Sequence, residues 1–211
     1  LMSYMLLMEQ YDPEHKQRTL AYVNSKNSAI ENARLFADRR APLNDPELKR
    51  LASDIKREVH GDYFLSDIVE KGVAYHIGYL PSSIRSRIEE LFKDGKITTM
   101  FCTSTLIEGV NLPADNLFIA NNYNGRPKMS GVEFKNLIGR VGRIKFNLYG
   151  NVFFVTDGKR TTEKEYLELL REPVKEQKLS VVQDLKPKLK KHIVEALLEG
   201  DAVIDKYNDS Q

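Results

Sequence analysis

Two arginines on one short segment are the residues best suited to chemistry in this sequence. In a helix, Asn136, Arg140 and Arg143 share one side, because residues three and four positions apart lie on the same face. A guanidinium is a planar, permanently charged fork that matches the geometry of phosphate. The spacing therefore favours a phosphate-binding face, and the simpler alternative is a solvated basic helix surface.

The flanking residues predict where that helix begins and how it packs. Ser130 and Glu133 form a capping-box pattern at its start. The opposite side of the helix is apolar and carries Phe134, Leu137, Ile138 and Val141. Gly139 and Gly142 are weak helix formers, so their presence beside the arginines indicates close approach of backbone or ligand.

The composition indicates a globular chain with enough apolar residues for a sizeable core. Of 211 residues, 41% are hydrophobic and 29% are charged, and the formal net charge is +2. Any nucleic-acid site must therefore be a local patch. Cys102 is the only cysteine, which excludes a disulfide within the chain, and the histidines show no metal-ligand spacing. We expect a cytoplasmic, nucleoid or nuclear protein that is not secreted, and a chain starting at Leu1 is expected to be part of something longer.

Strand-like and helix-like segments alternate along the chain. Strands are predicted at 19–23, 72–77, 98–102, 116–120 and 151–155, with amphipathic helices between them. The first crossover helix is expected to start at a capping box of Ser28 and Glu31, and the next one at Asp45. This alternation predicts an α/β fold, in which a mostly parallel sheet is covered on both faces in three layers.

The polar residues that follow these strands would meet at one edge of the sheet, where ligands of such folds bind.

Three domains are expected: an N-terminal helix and linker at 1–18, the α/β domain at 19–160, and the start of a helical C-terminal region at 161–211.

Three segments together resemble the second, C-terminal RecA-like domain of superfamily 2 helicases of the DExH/DEAD type, in the superkiller-like group. Residues 136–143 are similar to motif VI, QxxGRxGR; residues 103–113 are similar to motif V; and residues 22–26 are similar to motif IV. The resemblance covers roughly 19–156 and implies a RecA-like fold of the P-loop NTPase type.

The resemblance implies a role for each matching residue. Arg143 would be an arginine finger toward the γ-phosphate of ATP, with Arg140 beside it. The nucleotide-binding set would be Gly109, Asn111, Asn136 and Gly139. The residues implied to grip a single strand of DNA or RNA are Asn24, Ser25, Lys26, Thr103 and Ser104.

Several readings remain open. Asn136 stands where the family usually has Gln, and Lys26 stands where Arg is common. Without the motifs, Thr103 could merely satisfy backbone at a strand end, and Asn111 could be an ordinary turn residue. His76 is expected to be a hydrogen-bonded strand-end histidine, and Cys102 a core residue.

The sequence also lacks half of an ATP site. It has no Gly-x-x-x-x-Gly-Lys-Ser/Thr phosphate loop and no Asp-Glu-x-His or Asp-Glu-Ala-Asp motif. In the family, those parts and most contacts to ATP and Mg²⁺ belong to a preceding RecA-like domain of the same polypeptide. We therefore expect the motor-domain part of an ATP-dependent helicase that cannot hydrolyse ATP alone. The alternative is a degenerate helicase-like module that binds nucleic acid or protein without ATPase activity.

Overall fold

The computed structural model describes residues 1–11, 17–106, 112, 114–139 and 150–173. Seven helices and five strands occur in this described part. The helices are α1 Met2–Tyr11, α2 Lys26–Ala37, α3 Pro46–Glu58, α4 Leu65–Val69, α5 Ser82–Lys93, α6 Gly131–Ile138 and α7 Glu163–Arg171. The strands are β1 Thr19–Tyr22, β2 Val73–His76, β3 Thr99–Cys102, β4 Asn116–Ile119 and β5 Asn151–Phe154.

The five strands form one parallel sheet in the order β2-β3-β1-β4-β5. The last residue of β1, Tyr22, is paired with Cys102 on one side and with Ile119 on the other. His76 pairs with Cys102, and Ile119 pairs with Phe154, so all five carboxyl ends lie level with one another. The predicted α/β fold is confirmed, and β1 occupies the middle position.

Strands β2, β3 and β4 are buried along their whole length, and β1 is buried except at its first residue, Thr19, as expected for a parallel sheet that is covered by helices. The connection from β1 to β2 passes through α2 and covers one face of the sheet. The connections from β2 to β3 through α5 and from β4 to β5 through α6 run in the opposite direction across the sheet. Because crossovers between parallel strands are right-handed, these two helices cover the other face. Phe36 of α2 packs edge to face against Phe101 of β3, with ring centroids 5.8 Å apart. The core therefore lies in layers on both sides of the sheet.

The start of α2 differs from the prediction. Ser25 is the N-cap, with φ −139° and ψ 149°, and its Oγ accepts a hydrogen bond from the backbone N–H of Ser28 at 3.2 Å. The predicted capping box of Ser28 and Glu31 is wrong, because the chain becomes helical one turn earlier, directly after the strand. The helix still buries the expected apolar side chains, Ala29, Ala33, Phe36 and Ala37.

The predicted start of α3 at Asp45 is confirmed. The Asp45 carboxylate accepts from the backbone N–H groups of Glu47 and Leu48 at 2.8 and 3.2 Å. Its other oxygen lies 2.6 Å from Nζ of Lys96, which joins this helix to the turn before β3. The Lys96 hydrogen bond, followed by the two backbone hydrogen bonds, lowers the pKa of Asp45.

Helix α7 packs onto the sheet through Tyr166, which is buried. Its ring stacks on Phe154 of β5 and Phe134 of α6, with centroids 4.8 and 5.8 Å away. Its hydroxyl lies 3.1 Å from the carbonyl of Ile119 and 3.0 Å from that of Val155. Residues 1–173 form one compact unit. Helix α7, which the sequence analysis assigned to the C-terminal region at 161–211, packs within this unit.

Within the part of the chain that the structure describes, no helix is both long and apolar enough to cross a membrane. The predicted helical C-terminal region, 161–211, lies outside the described residues from position 174 onward.

Candidate functional site

The candidate site lies where the chain leaves the carboxyl ends of the three central strands. Backbone hydrogen bonds continue the sheet one residue past each strand: Val23 N–H donates to the carbonyl of Cys102 at 2.9 Å, and Ala120 N–H donates to that of Tyr22 at 3.0 Å. The residues that come next, Asn24, Thr103 and Asn121, therefore emerge along one edge of the sheet.

The side chain of Asn24 ties this edge to the loop at 120–130. Its Oδ1 accepts a hydrogen bond from Nδ2 of Asn121 at 3.2 Å, and its Nδ2 donates to the carbonyl of Gly125 at 3.3 Å. The Tyr22 hydroxyl donates to the carbonyl of Tyr123 at 2.7 Å in the same loop. Burial raises the pKa of Tyr22, so this hydroxyl keeps its proton and remains a donor.

The same loop is also held by the first turn of α6. Nδ2 of Asn124 donates to Oε1 of Glu133 at 2.7 Å. The predicted capping box at this helix is confirmed, since the N–H of Ser130 donates to Glu133 at 2.8 Å and the Ser130 hydroxyl accepts from the Glu133 N–H at 3.3 Å. The hydrogen bonds that the Glu133 carboxylate accepts, first from the backbone of Ser130 and then from Asn124, lower its pKa. The loop therefore connects Asn24 to the start of the arginine segment.

Lys26 is the first residue of α2 and is exposed to solvent. Its Nζ lies 4.2 Å from the centroid of the Tyr79 ring, which comes from the connection between β2 and α5. An exposed cation–π contact of this kind contributes about 0.5–1 kcal/mol. The ammonium of Lys26 is therefore positioned over an aromatic ring at the edge of the sheet.

Thr103 and Ser104 follow β3, and a short 3-10 helix begins at Ser104 and ends at Leu106. Both side chains are half-buried. The N–H of Thr103 donates to the carbonyl of His76 at 3.4 Å, which holds the start of this segment against the end of β2. Their hydroxyls are of the type that binds phosphate oxygens without reading base sequence.

The side chain of His76 contacts the segment that follows β3. It is buried, and its Nδ1 lies 3.0 Å from the Thr105 hydroxyl while its Nε2 lies 2.8 Å from Oε1 of Glu89 on α5. An imidazole with its proton on Nε2 satisfies both contacts, donating to Glu89 and accepting from Thr105. The prediction of a hydrogen-bonded strand-end histidine agrees with this geometry, and Cys102 is a fully buried core residue as expected.

The predicted nucleotide-binding residues are only partly covered by the structure. Gly109, Asn111, Arg140 and Arg143 lie outside the described residues. The described part of α6 ends at Ile138, and Gly139 is its C-cap. Asn136, in the last turn of α6, is exposed. The roles of all these residues therefore stay predictions.

Around Asn24 the structure adds residues that the sequence did not single out. A pocket of about 500 Å³ is lined by Asn24, Asn121, Tyr123, Gly125, Arg126, Asp157, Arg160 and Thr161. The Asp157 carboxylate accepts hydrogen bonds from the N–H groups of Thr161, Lys159 and Arg160, and these, led by that from Thr161, lower its pKa. The asparagines that follow β4, at 121, 122 and 124, were the sequence signal that could have indicated this pocket, since polar residues at a strand end often line a site.

The all-parallel α/β domain, with polar loops at the carboxyl edge of its sheet, has the architecture expected of a RecA-like domain. The family of helicase conserved C-terminal domains matches residues 3–145, and the chain belongs to this family. The match includes the segments that resemble motifs IV, V and VI. The resemblance to the C-terminal domain of helicases is thereby confirmed, and the superkiller-like subgroup stays a prediction.

Individual relatives are similar over part of their length. The chain is 30% identical over 160 residues to the ATP-dependent DNA helicase Hel308 of Pyrobaculum calidifontis, covering 71% of the chain and 22% of the relative. It is 31% identical over 163 residues to Hel308 of Thermoplasma volcanium, covering 74% and 23%. It is 31% identical over 99 residues to the anti-bacteriophage protein B of Escherichia coli K12, covering 47% and 14%. The chain thus spans less than a quarter of the length of these relatives.

Proposed function

We propose that this chain is the second RecA-like lobe of an ATP-dependent nucleic-acid helicase or translocase. The observation that carries the proposal is the helicase C-terminal match over residues 3–145, which spans both the polar sheet edge and the arginine segment. The phosphate loop and the DExH motif, which the sequence lacks, would belong to a preceding RecA-like lobe of the same polypeptide. This chain would then complete an ATP site and would not hydrolyse ATP alone.

The polar edge of the sheet is the proposed grip on nucleic acid. Thr103 and Ser104 bring hydroxyls, the backbone at Asn24 and Ser25 brings amide groups, and Lys26 brings a positive charge. Such groups bind sugar–phosphate backbone and hold a strand regardless of its sequence. The hydrogen bonds from Asn24 to the 120–130 loop keep this edge in one conformation.

The arginine segment is the proposed contribution to ATP hydrolysis. ATP with Mg²⁺ would supply the transferable phosphoryl group, held mostly by the preceding lobe. On this chain, the Arg143 guanidinium would neutralise negative charge that develops during the transfer, with Arg140 beside it. Gly109, Asn111, Asn136 and Gly139 would line the nucleotide. Closing and reopening of the two lobes would move a bound strand stepwise.

DNA is the proposed nucleic acid, because two of the relatives are named ATP-dependent DNA helicases. The contacts proposed above are to phosphate and do not themselves distinguish the two sugars. Competition between DNA and RNA oligomers of the same sequence tests this choice.

The central test is Arg143→Ala in the full-length protein. Nucleic-acid-stimulated ATPase activity should fall about 10³-fold or more, since an arginine finger contributes about 10³–10⁵ in rate, while ATP binding should be largely kept. Arg50→Ala is the matched control, because Arg50 is an exposed arginine on α3. Unchanged turnover in Arg143→Ala would refute the proposed role. A wild-type protein that binds nucleic acid without any ATPase activity would favour the binding module.

A further inference from the structure

Tyr79 is the most exposed of the large apolar side chains that the structure describes. It is 81% exposed, although Ile77, two residues before it, and Leu80, directly after it, are buried. A turn holds this segment, in which the N–H of Leu80 donates to the carbonyl of Ile77 at 3.3 Å, and α5 begins at Ser82. The backbone is therefore anchored while the ring is held out into solvent.

The surroundings of Tyr79 place the ring among the loops of the proposed nucleic-acid grip. The Lys26 ammonium lies 4.2 Å from the ring centroid and comes from the connection after β1. The preceding Gly78 lies beside the segment after β3, since a Cβ there would be 3.6 Å from Cγ2 of Thr105. The ring thus sits where the connections after β1, β2 and β3 meet.

We propose that Tyr79 is a base-stacking residue, which with Lys26 binds one nucleotide of a single strand. An aromatic ring offers a flat face to any base, and the adjacent ammonium offers a charge to the phosphate of the same nucleotide. The proposal rests on the proposed function, since it requires a strand along this edge. It adds a contact to bases, which the hydroxyl and amide groups of the edge do not make.

The test measures binding of two probes to the full-length protein without nucleotide. One probe is fluorescein-labelled oligothymidylate, and the other is an abasic oligomer with the same length and the same number of phosphates. Tyr79→Ala should weaken binding of oligothymidylate about 5- to 150-fold, which is the range expected for the loss of one stacked base. Binding of the abasic oligomer should stay unchanged, and Tyr79→Phe should bind both probes as the wild type does.

Two variants serve as controls. Tyr11→Ala removes another highly exposed tyrosine, 75% exposed at the end of α1, and should leave both affinities unchanged. Lys26→Ala should weaken both probes alike and reduce the slope of log affinity against log salt concentration by about 0.7, because it removes one phosphate contact to a single strand. The folded state of each variant is checked by circular dichroism.

The outcomes separate this proposal from the proposed function. If the wild type binds oligothymidylate and Tyr79→Ala binds it equally well, the stacking role is wrong while the nucleic-acid grip stands. If Tyr79→Ala weakens both probes equally, the ring acts only by positioning Lys26, and the stacking role is again wrong. If the wild type binds neither probe, the proposed grip itself is refuted.

Discussion

The side chains of Asn24 and Asn121 meet across the carboxyl edge of the sheet, with Nδ2 of Asn121 donating to Oδ1 of Asn24 at 3.2 Å. Each residue also forms a hydrogen bond with the loop at 120–130. Nδ2 of Asn24 donates to the carbonyl of Gly125, and Oδ1 of Asn121 accepts from the N–H of Tyr123. Two strand ends and one loop are therefore fixed by a pair of amides. The proposed strand grip depends on this arrangement.

Removing either asparagine should loosen the loop without unfolding the domain. Asn24→Ala and Asn121→Ala should each lower the free energy of unfolding by about 0.5–1.5 kcal/mol, which is typical of a lost hydrogen bond. The double variant should cost less than the sum of the two, because both changes break the same bond. Urea denaturation measures all three. Asn27→Ala, at an exposed position in α2, is the control, and strict additivity would show that the amide pair does not contribute.

His76 should be important for stability because its ring joins the segment after β3 to α5. His76→Leu would leave the Glu89 carboxylate and the Thr105 hydroxyl without their imidazole partner, at a cost of about 1–3 kcal/mol in the free energy of unfolding. His60→Leu replaces an exposed histidine and should have a much smaller effect. Equal urea midpoints for the two variants would contradict a structural role for His76.

Asp45 should make the stability of the domain dependent on pH in acid. Its pKa in the folded protein is lowered, first by the hydrogen bond from Lys96, so the ionised form is favoured by folding. The stabilisation is full above the ordinary pKa of 3.8 and is lost as the pH falls through the lower folded value.

Asp45→Asn keeps a capping side chain but removes this titration. The variant should be less stable than the wild type at neutral pH, and the difference should shrink as the pH falls below 3.8. Thermal melting across this range measures the difference, with Asp38→Asn as an exposed charge change for comparison. A difference that stays constant with pH would show that the Lys96 contact is absent in solution.

Local signals in the sequence were sufficient to predict much of the fold. Asp45 before Pro46, and Ser130 three residues before Glu133, each satisfy their own helix within one turn, so neither depends on distant residues. The start of α2 was predicted wrongly because Ser25 and Ser28 are both good caps. In the structure Ser25 is extended and caps the helix, and local spacing does not decide between the two serines.

The candidate site was harder to predict because its contacts join distant parts of the chain. Alternating strands and helices indicate a parallel sheet, yet they do not specify that β1 lies between β3 and β4. That order brings Asn24 to Asn121 and Lys26 to Tyr79, and neither pair is visible in local spacing. The motif-based roles of Arg140 and Arg143 stay predictions.

The central position of β1 also has a consequence for synthesis of the protein. Its residues pair with β4 at an offset of 97 positions, as Thr19 pairs with Asn116. A ribosome must therefore translate most of the domain before the first strand has both neighbours, and pairing over such a separation is slow. Nascent chains that are stalled before β4 would carry β1 with one side open, and these are the species that chaperones should recognise.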